Sequence, residues 1–185
     1  LLVRILDAAR LAPSGYNLQP THFTVVTDPE LKKQLQPACL FQRQICEAPA
    51  VVVFSGDRQV LDHNLEAMLS EELSIGATNA QYAGMTRKYV GLAFSQGPLG
   101  FGWLIKVFAI PLVRILKPTP EIPAVHKKNW VTKQVMLAAM NFMLAAKAAG
   151  LDTVPMEGFD ATRVRRILHM PESHEIPVII PVGYA

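Results

Sequence analysis

Trp130-Val131-Thr132-Lys133-Gln134-Val135-Met136-Leu137-Ala138-Ala139-Met140-Asn141-Phe142-Met143-Leu144-Ala145-Ala146-Lys147-Ala148-Ala149 is the plainest helical signal in the chain. Val131, Val135, Ala138, Phe142, Ala145 and Ala149 recur at steps of four and three, the period of one helix face. Leu137, Met140 and Leu144 make a further face apolar. A helix that is apolar nearly all round must be buried nearly all round. At this length it spans about 30 Å, the diameter of a small domain. The pattern predicts the central helix of the fold or of a dimer interface. Gly150 closes it.

Outward from this helix the chain alternates shorter helices and strands. Leu1 to Arg10 reads as a helix, with Leu2, Ile5, Leu6 and Ala9 on one face and Pro13 as its stop. His22 to Thr27 reads as a strand. Asp28-Pro29-Glu30 starts a short helix, with Asp28 as N-cap and Pro29 at the first helical position. Ala50-Val51-Val52-Val53-Phe54 is a continuous apolar run after Pro49, the mark of a buried strand. From about Gln59 to Tyr89 the chain reads as helical, with a break expected near Gly76 or Gly84. Asp160 caps a short helix running to His169, and Ile176 to Val182 is the last strand. There are too few tight strand–helix–strand units for a doubly wound sheet. The fold class is α+β, in a single domain over residues 1–185.

Composition excludes several functions. The net charge of +3 comes with no basic stripe, so nucleic acid is not an expected partner. Cys39 and Cys46 have no C-x-x-C spacing and read as free thiols in a reducing, cytoplasmic setting. The five histidines are scattered without H-x-x-x-H or H-E-x-x-H spacing, so no metal site is expected. Ser14 does not sit in a G-x-S-x-G elbow, and P-loop and G-x-G-x-x-G patterns are missing. Gly97 to Pro120 is rich in apolar residues, but Pro111, Lys106 and Arg114 interrupt it. It is too short to span a bilayer. It reads as an insertion or lid in preference to a membrane contact. The chain begins at Leu1 and stops just after a strand, so both termini read as truncated.

Two segments combine turn chemistry with polar groups. Pro13-Ser14-Gly15-Tyr16-Asn17-Leu18-Gln19-Pro20 places two side-chain amides and a hydroxyl between a helix and a strand. Leu151-Asp152-Thr153-Val154-Pro155-Met156-Glu157-Gly158-Phe159 has the same character far along the chain. Amides both donate and accept, which matches the two carbonyls and N–H of a flavin pyrimidine edge. A glycine turn lets a backbone N–H approach the ring.

In order and spacing these segments resemble the nitroreductase family of flavin enzymes. The matching elements are Pro13-Ser14 with Asn17 and Gln19-Pro20, Lys133-Gln134 in the long helix, Gly150-Leu151-Asp152, Pro155 to Phe159, and the closing Val182-Gly183. The resemblance implies a central, mostly antiparallel sheet flanked by helices, in a homodimer. It implies FMN bound by Ser14, Asn17 and Gln19, with the Pro-Ser turn reaching in from the partner subunit. Gln134 would touch the flavin from the long helix. Pro155, Met156, Glu157 and Gly158 would line one ring face, with a backbone N–H near N5. It places the FMN phosphate ligands before Leu1 and beyond the last strand. NAD(P)H would donate hydride and a nitroaromatic, quinone or similar acceptor would take the electrons, with no catalytic side chain required. A dehalogenating, azoline-oxidising or flavin-consuming relative and a non-catalytic flavin-binding dimer are the alternatives.

Overall fold

A computed structural model of the chain describes residues 1–94, 102–118 and 126–184. The ends of the apolar stretch from Gly97 to Pro120 therefore lie outside the described residues. In chain order the elements are α1 (Leu2–Arg10), β1 (Thr21–Val26), α2 (Pro29–Ala38), α3 (Gln44–Glu47), β2 (Ala50–Asp57) and α4 (Val60–Ser74). They continue with α5 (Ala80–Phe94), α6 (Gly102–Leu116), α7 (Lys127–Ala148), β3 (Asp152–Thr153), α8 (Ala161–Ile167) and β4 (His174–Gly183). The chain divides into two compact units. The first holds Leu1–Gly15, Gln19–Arg58 and Val131–Ala185; the second holds Tyr16–Leu18 and Gln59–Trp130.

The first unit is built on a four-stranded sheet in the order β1-β2-β4-β3, every pairing antiparallel. The structure thus has the α+β class read from the sequence. The continuous apolar run of β2 is buried along its whole length. Its side chains alternate between two apolar layers, as strand geometry requires. Val51 and Val53 join the cluster that contains Leu35 and Ala38 of α2, Ile45 of α3 and Val164 of α8. On the other layer, Phe54 meets Phe142 of α7 edge-on, ring centroids 5.3 Å apart, and Phe23 of β1 at 5.2 Å. Gly56 allows the closest approach of α7, since a Cβ there would collide with the methyl groups of Val131 and Val135.

Two helix starts form as their sequences predict. Asp28 Oδ1 accepts from the N–H groups of Glu30 and Leu31, at 2.7 and 3.1 Å. Asp160 Oδ1 accepts from those of Thr162 and Arg163, at 3.0 and 3.1 Å. Each satisfies helix-end donors that would otherwise need water. Asp160→Ala is expected to cost about 1 kcal/mol of stability, read as a shifted urea midpoint. An unchanged midpoint would mean the cap adds nothing beyond solvation.

Burial of α7 differs from the sequence expectation. Val131, Val135, Ala138, Ala139, Phe142 and Ala146 are buried. Leu137, Met140 and Leu144 are exposed, because nothing among the described residues covers that side. Cys39 is buried among apolar neighbours, which pushes its thiol up to about 11 and keeps it protonated at neutral pH. Lys32 is buried too; its Nζ donates to the carbonyls of Cys46 and Ala48 at 3.3 and 2.7 Å, closing the end of α3.

The second unit is helical. Leu18, Val60, Leu65, Leu69, Ala83, Val90 and Phe94 form its core. The predicted break in the long helical stretch falls at Gly76, which has φ +69°, between α4 and α5. Arg87 of α5 binds Glu66 of α4 through two 2.7 Å bonds, and its guanidinium holds the Glu66 carboxyl below its ordinary range. This pair is exposed, so it orients the helices more than it stabilises them. The described side chains of α6 from Pro111 to Leu116 are all exposed.

Candidate functional site

The Pro13–Pro20 segment is not an ordinary turn. Gly15–Asn17 forms one turn of 3-10 helix. Tyr16, Asn17 and Gln19 all have positive φ, at 56°, 53° and 49°. Left-handed backbone is disfavoured for residues with a Cβ, and three instances within four positions persist only where surroundings impose them. In the first unit two side chains do this. Ser14 Oγ accepts the N–H of Gln19 at 2.8 Å, and Gln134 Oε1 accepts the N–H of Gly15 at 2.8 Å. Gln134 reaches the turn from one helix turn above Ala138 on α7.

These anchors surround a cavity of about 150 Å³ in the first unit. Its lining is mixed: Arg10, Ser14, Gln19, Thr21 and Gln134 line it together with apolar residues, among them Ala9, Pro13, Phe23 and Ala138. Ser14 serves here as an acceptor that shapes the turn.

Tyr16–Leu18 belong to the second unit. Leu18 is fully buried there and its carbonyl accepts from Asn64 Nδ2 at 2.8 Å. Asn17 Nδ2 donates to Glu72 Oε1 at 3.3 Å. Glu72 of α4 is thus engaged with an amide singled out in the sequence. Tyr16 packs edge-on against Phe94, with centroids 6.5 Å apart.

The second predicted segment does not line the 150 Å³ cavity. Met156 bridges to β4: its N–H and carbonyl both pair with Ile179, at 2.9 and 3.0 Å, and its side chain is buried in the core. Pro155, Glu157 and Gly158 are exposed. Among the described residues no acceptor takes the N–H of Glu157 or of Gly158. The segment therefore anchors itself through Met156 and presents the next two N–H groups outward.

Sequence reasoning missed what holds this segment. Gln42 Nε2 donates to the Gly158 carbonyl at 2.9 Å, and Gln44 Nε2 donates to Gln42 Oε1 at 2.9 Å. Arg43 pairs with Glu47 at 3.0 Å. The local signal for this role would have been weak: Leu40 and Phe41, at φ 54° and 57°, form the sharp bend that aims Gln42.

Other chemistries find no support. Among the described residues no group of three or more His, Cys, Asp and Glu could hold a metal ion. Ser55 Oγ lies 3.2 Å from His174 Nδ1, but Ser55 is fully buried in β2 and no substrate reaches it. No helix of the described residues is long and apolar enough to cross a membrane.

Comparison with known proteins agrees with this fold. The nitroreductase family model matches residues 1–184. A Thermus thermophilus protein named NADH dehydrogenase is 29% identical over 184 residues, covering 100% of this chain and 75% of its own length. An oxygen-insensitive NAD(P)H nitroreductase of Enterobacter cloacae is 29% identical over 187 residues, covering 98% of this chain and 76% of its own. A protein of Exiguobacterium sibiricum, solved in complex with FMN, superposes with a TM-score of 0.69 at 22% identity, covering 100% of this chain and 76% of that one. At that identity the likeness is one of fold. The chain belongs to the nitroreductase family.

Proposed function

We propose that this protein is an FMN-dependent oxidoreductase that takes hydride from NAD(P)H and passes electrons to a nitroaromatic, quinone or similar small acceptor. Family membership supports the reaction class. The observation that supports the cofactor assignment is the cavity in the first unit lined by Ser14, Gln19 and Gln134. Gln19 and Gln134 have the donor and acceptor atoms a flavin pyrimidine edge needs. At about 150 Å³ the cavity takes an edge of the ring system, not a whole cofactor, since complete ligand sites run to roughly 300–1,000 Å³. Bound FMN would supply hydride acceptance and delivery at N5.

The chain's own part is positioning. Ser14, Gln19 and Gln134 would hold one edge, with Asn17 as a further amide. Pro155, Met156, Glu157 and Gly158 would form a second wall, where the outward N–H groups of Glu157 and Gly158 suit a hydrogen bond to N5. Completing one site from both segments calls for a homodimer. The uncovered apolar side of α7, at Leu137, Met140 and Leu144, is the surface a second copy would bury. The unpaired thiols of Cys39 and Cys46 suit a reducing cytoplasm.

An absorption spectrum of the purified full-length protein, with and without added FMN, tests this reading. Oxidised-flavin bands are expected, fading anaerobically with NADPH or NADH and returning on addition of a quinone. A protein that neither carries nor takes up FMN ends the proposal. A yellow protein that neither nucleotide bleaches would instead be a flavin-binding module without this activity.

A further inference from the structure

We propose that Gln42, aimed in turn by Gln44, is a positioning residue that fixes the outward N–H groups of Glu157 and Gly158 and so sets the reduction potential of the bound flavin. The inference rests on the proposed FMN site and adds to it which side chain holds the N5-facing backbone in place. On both sides of these two N–H groups the backbone is tied down. Met156 pairs with Ile179 through its N–H and its carbonyl, at 2.9 and 3.0 Å. The Phe159 N–H donates to the Glu157 carbonyl at 3.0 Å, closing a tight three-residue turn on Gly158. The Asp160 N–H donates to the Ala38 carbonyl at 2.8 Å. The carbonyl of Gly158 is held by a side chain: Gln42 Nε2 donates to it at 2.9 Å.

Gln42 is itself built into place. Leu40 and Phe41 before it hold φ at 54° and 57°, conformations that residues with a Cβ keep only where the surroundings impose them. Their N–H groups donate to the carbonyls of Pro37 and Gln36, at 3.3 and 2.9 Å. The Gln42 N–H donates to the Cys39 carbonyl at 3.1 Å, so the bend is anchored to the end of α2. On the far side of the amide, Gln44 Nε2 donates to Gln42 Oε1 at 2.9 Å. With its oxygen engaged by Gln44, the Gln42 amide turns its nitrogen toward Gly158. Glycine at this position leaves the room required, since a Cβ there would stand 3.3 Å from Gln42 Nε2.

The bond adds little to stability alone. Gly158 is exposed, so its carbonyl can take water at small net cost. What the bond removes is freedom: glycine has the widest choice of backbone conformations, and the peptides flanking Gly158 would otherwise rotate. Direction matters to a flavin. N5 of the oxidised ring has a lone pair and accepts an N–H, whereas N5 of the reduced ring carries a hydrogen of its own. A fixed N–H at this point stabilises the oxidised form selectively and lowers the potential.

The test compares full-length wild type with Gln42→Leu and Gln44→Leu. In spectroelectrochemical titration of the FMN-loaded proteins, Gln42→Leu is expected to favour reduced over oxidised FMN roughly threefold to tenfold relative to wild type, a rise of about 15–30 mV in the two-electron potential. Gln44→Leu should move it the same way by less, because Gln42 keeps its donor. In flavin-free protein, amide hydrogen exchange read by NMR should quicken roughly tenfold at Phe159 in Gln42→Leu and stay unchanged at Met156, whose bonds lie on the sheet. A wild-type potential in Gln42→Leu overturns the proposal even if Phe159 exchanges faster, since Gln42 would then only brace the loop. Unchanged exchange at Phe159 with equally weakened binding of both redox forms also overturns it, and makes Gln42 a direct ligand of FMN. Should Gln42→Leu fail to fold, an unshifted potential in Gln44→Leu is the overturning result. A wild type that takes up no FMN is a different failure. It ends the FMN reading and this inference with it, and the exchange comparison, which needs no flavin, still shows whether Gln42 holds the turn.

Discussion

Phe142→Ala is expected to lower the unfolding free energy by about 3–5 kcal/mol, the usual cost of emptying an aromatic core position. Phe142 is fully buried and lies at the end of an edge-on series of rings, Phe23, Phe54 and Phe142, that ties β1 and β2 to α7. Removing it takes away the transfer energy of a benzyl group and leaves a void. The neighbours cannot close that void, because β2 is buried on both faces and Gly56 already brings α7 as near as its valines permit. Urea unfolding followed by circular dichroism reads the effect, and a loss below about 1 kcal/mol would show that this layer is loosely packed. Leu144→Ser, two positions along the same helix, is the contrast. Leu144 is exposed in the single chain, so folding of the chain alone should change by about 0.5 kcal/mol or less. In a homodimer that buries this side of α7, the same change would raise the dimer dissociation constant instead. Light scattering over a dilution series separates the two results.

Gln134→Ala is expected to weaken FMN binding by roughly tenfold to a hundredfold, measured by quenching of FMN fluorescence. The side-chain oxygen holds the N–H of Gly15 at 2.8 Å, and Gly15 opens a stretch in which three residues keep positive φ. Without that acceptor the turn loses one of its two side-chain anchors and leaves a polar group unsatisfied, a loss of about 1–3 kcal/mol. Gln134→Glu keeps an oxygen for Gly15 but removes the amide N–H. Near-wild-type affinity in the Glu variant would assign Gln134 to shaping the turn. Affinity as poor as that of the Ala variant would assign it a direct contact with FMN. Equal affinities for wild type and Gln134→Ala would remove this cavity from the cofactor site.

Some of this site was legible in the residues themselves. Pro13, Ser14, Gly15, Asn17 and Gln19 advertise a polar turn between two packed elements, and the structure shows a strained one. The reach of Gln134 to Gly15 was not legible. The two lie 119 positions apart, and only the packing of α7 against the sheet at β2 brings them together. The same holds for Gln42 and Gly158, separated by 116 positions. Met156 is expected from its place in a motif to line one ring face. Its pairing with Ile179 commits both of its backbone groups to the sheet edge, a consequence of strand register that no local pattern encodes.

By itself the sequence determined the local elements: the caps at Asp28 and Asp160, the buried run of β2, the break at Gly76 and the helical period of α7. Each depends on interactions among residues a few positions apart, so near neighbours suffice to specify it. Tertiary structure alone decided which side of α7 meets the sheet, which residues hold the left-handed turn, and that Tyr16–Leu18 belong with a different unit from Ser14 and Gln19. Those outcomes depend on long-range packing. An apolar helix that could turn either side inward is oriented only when a particular partner, here Phe54 and the gap at Gly56, fits one side better than the other.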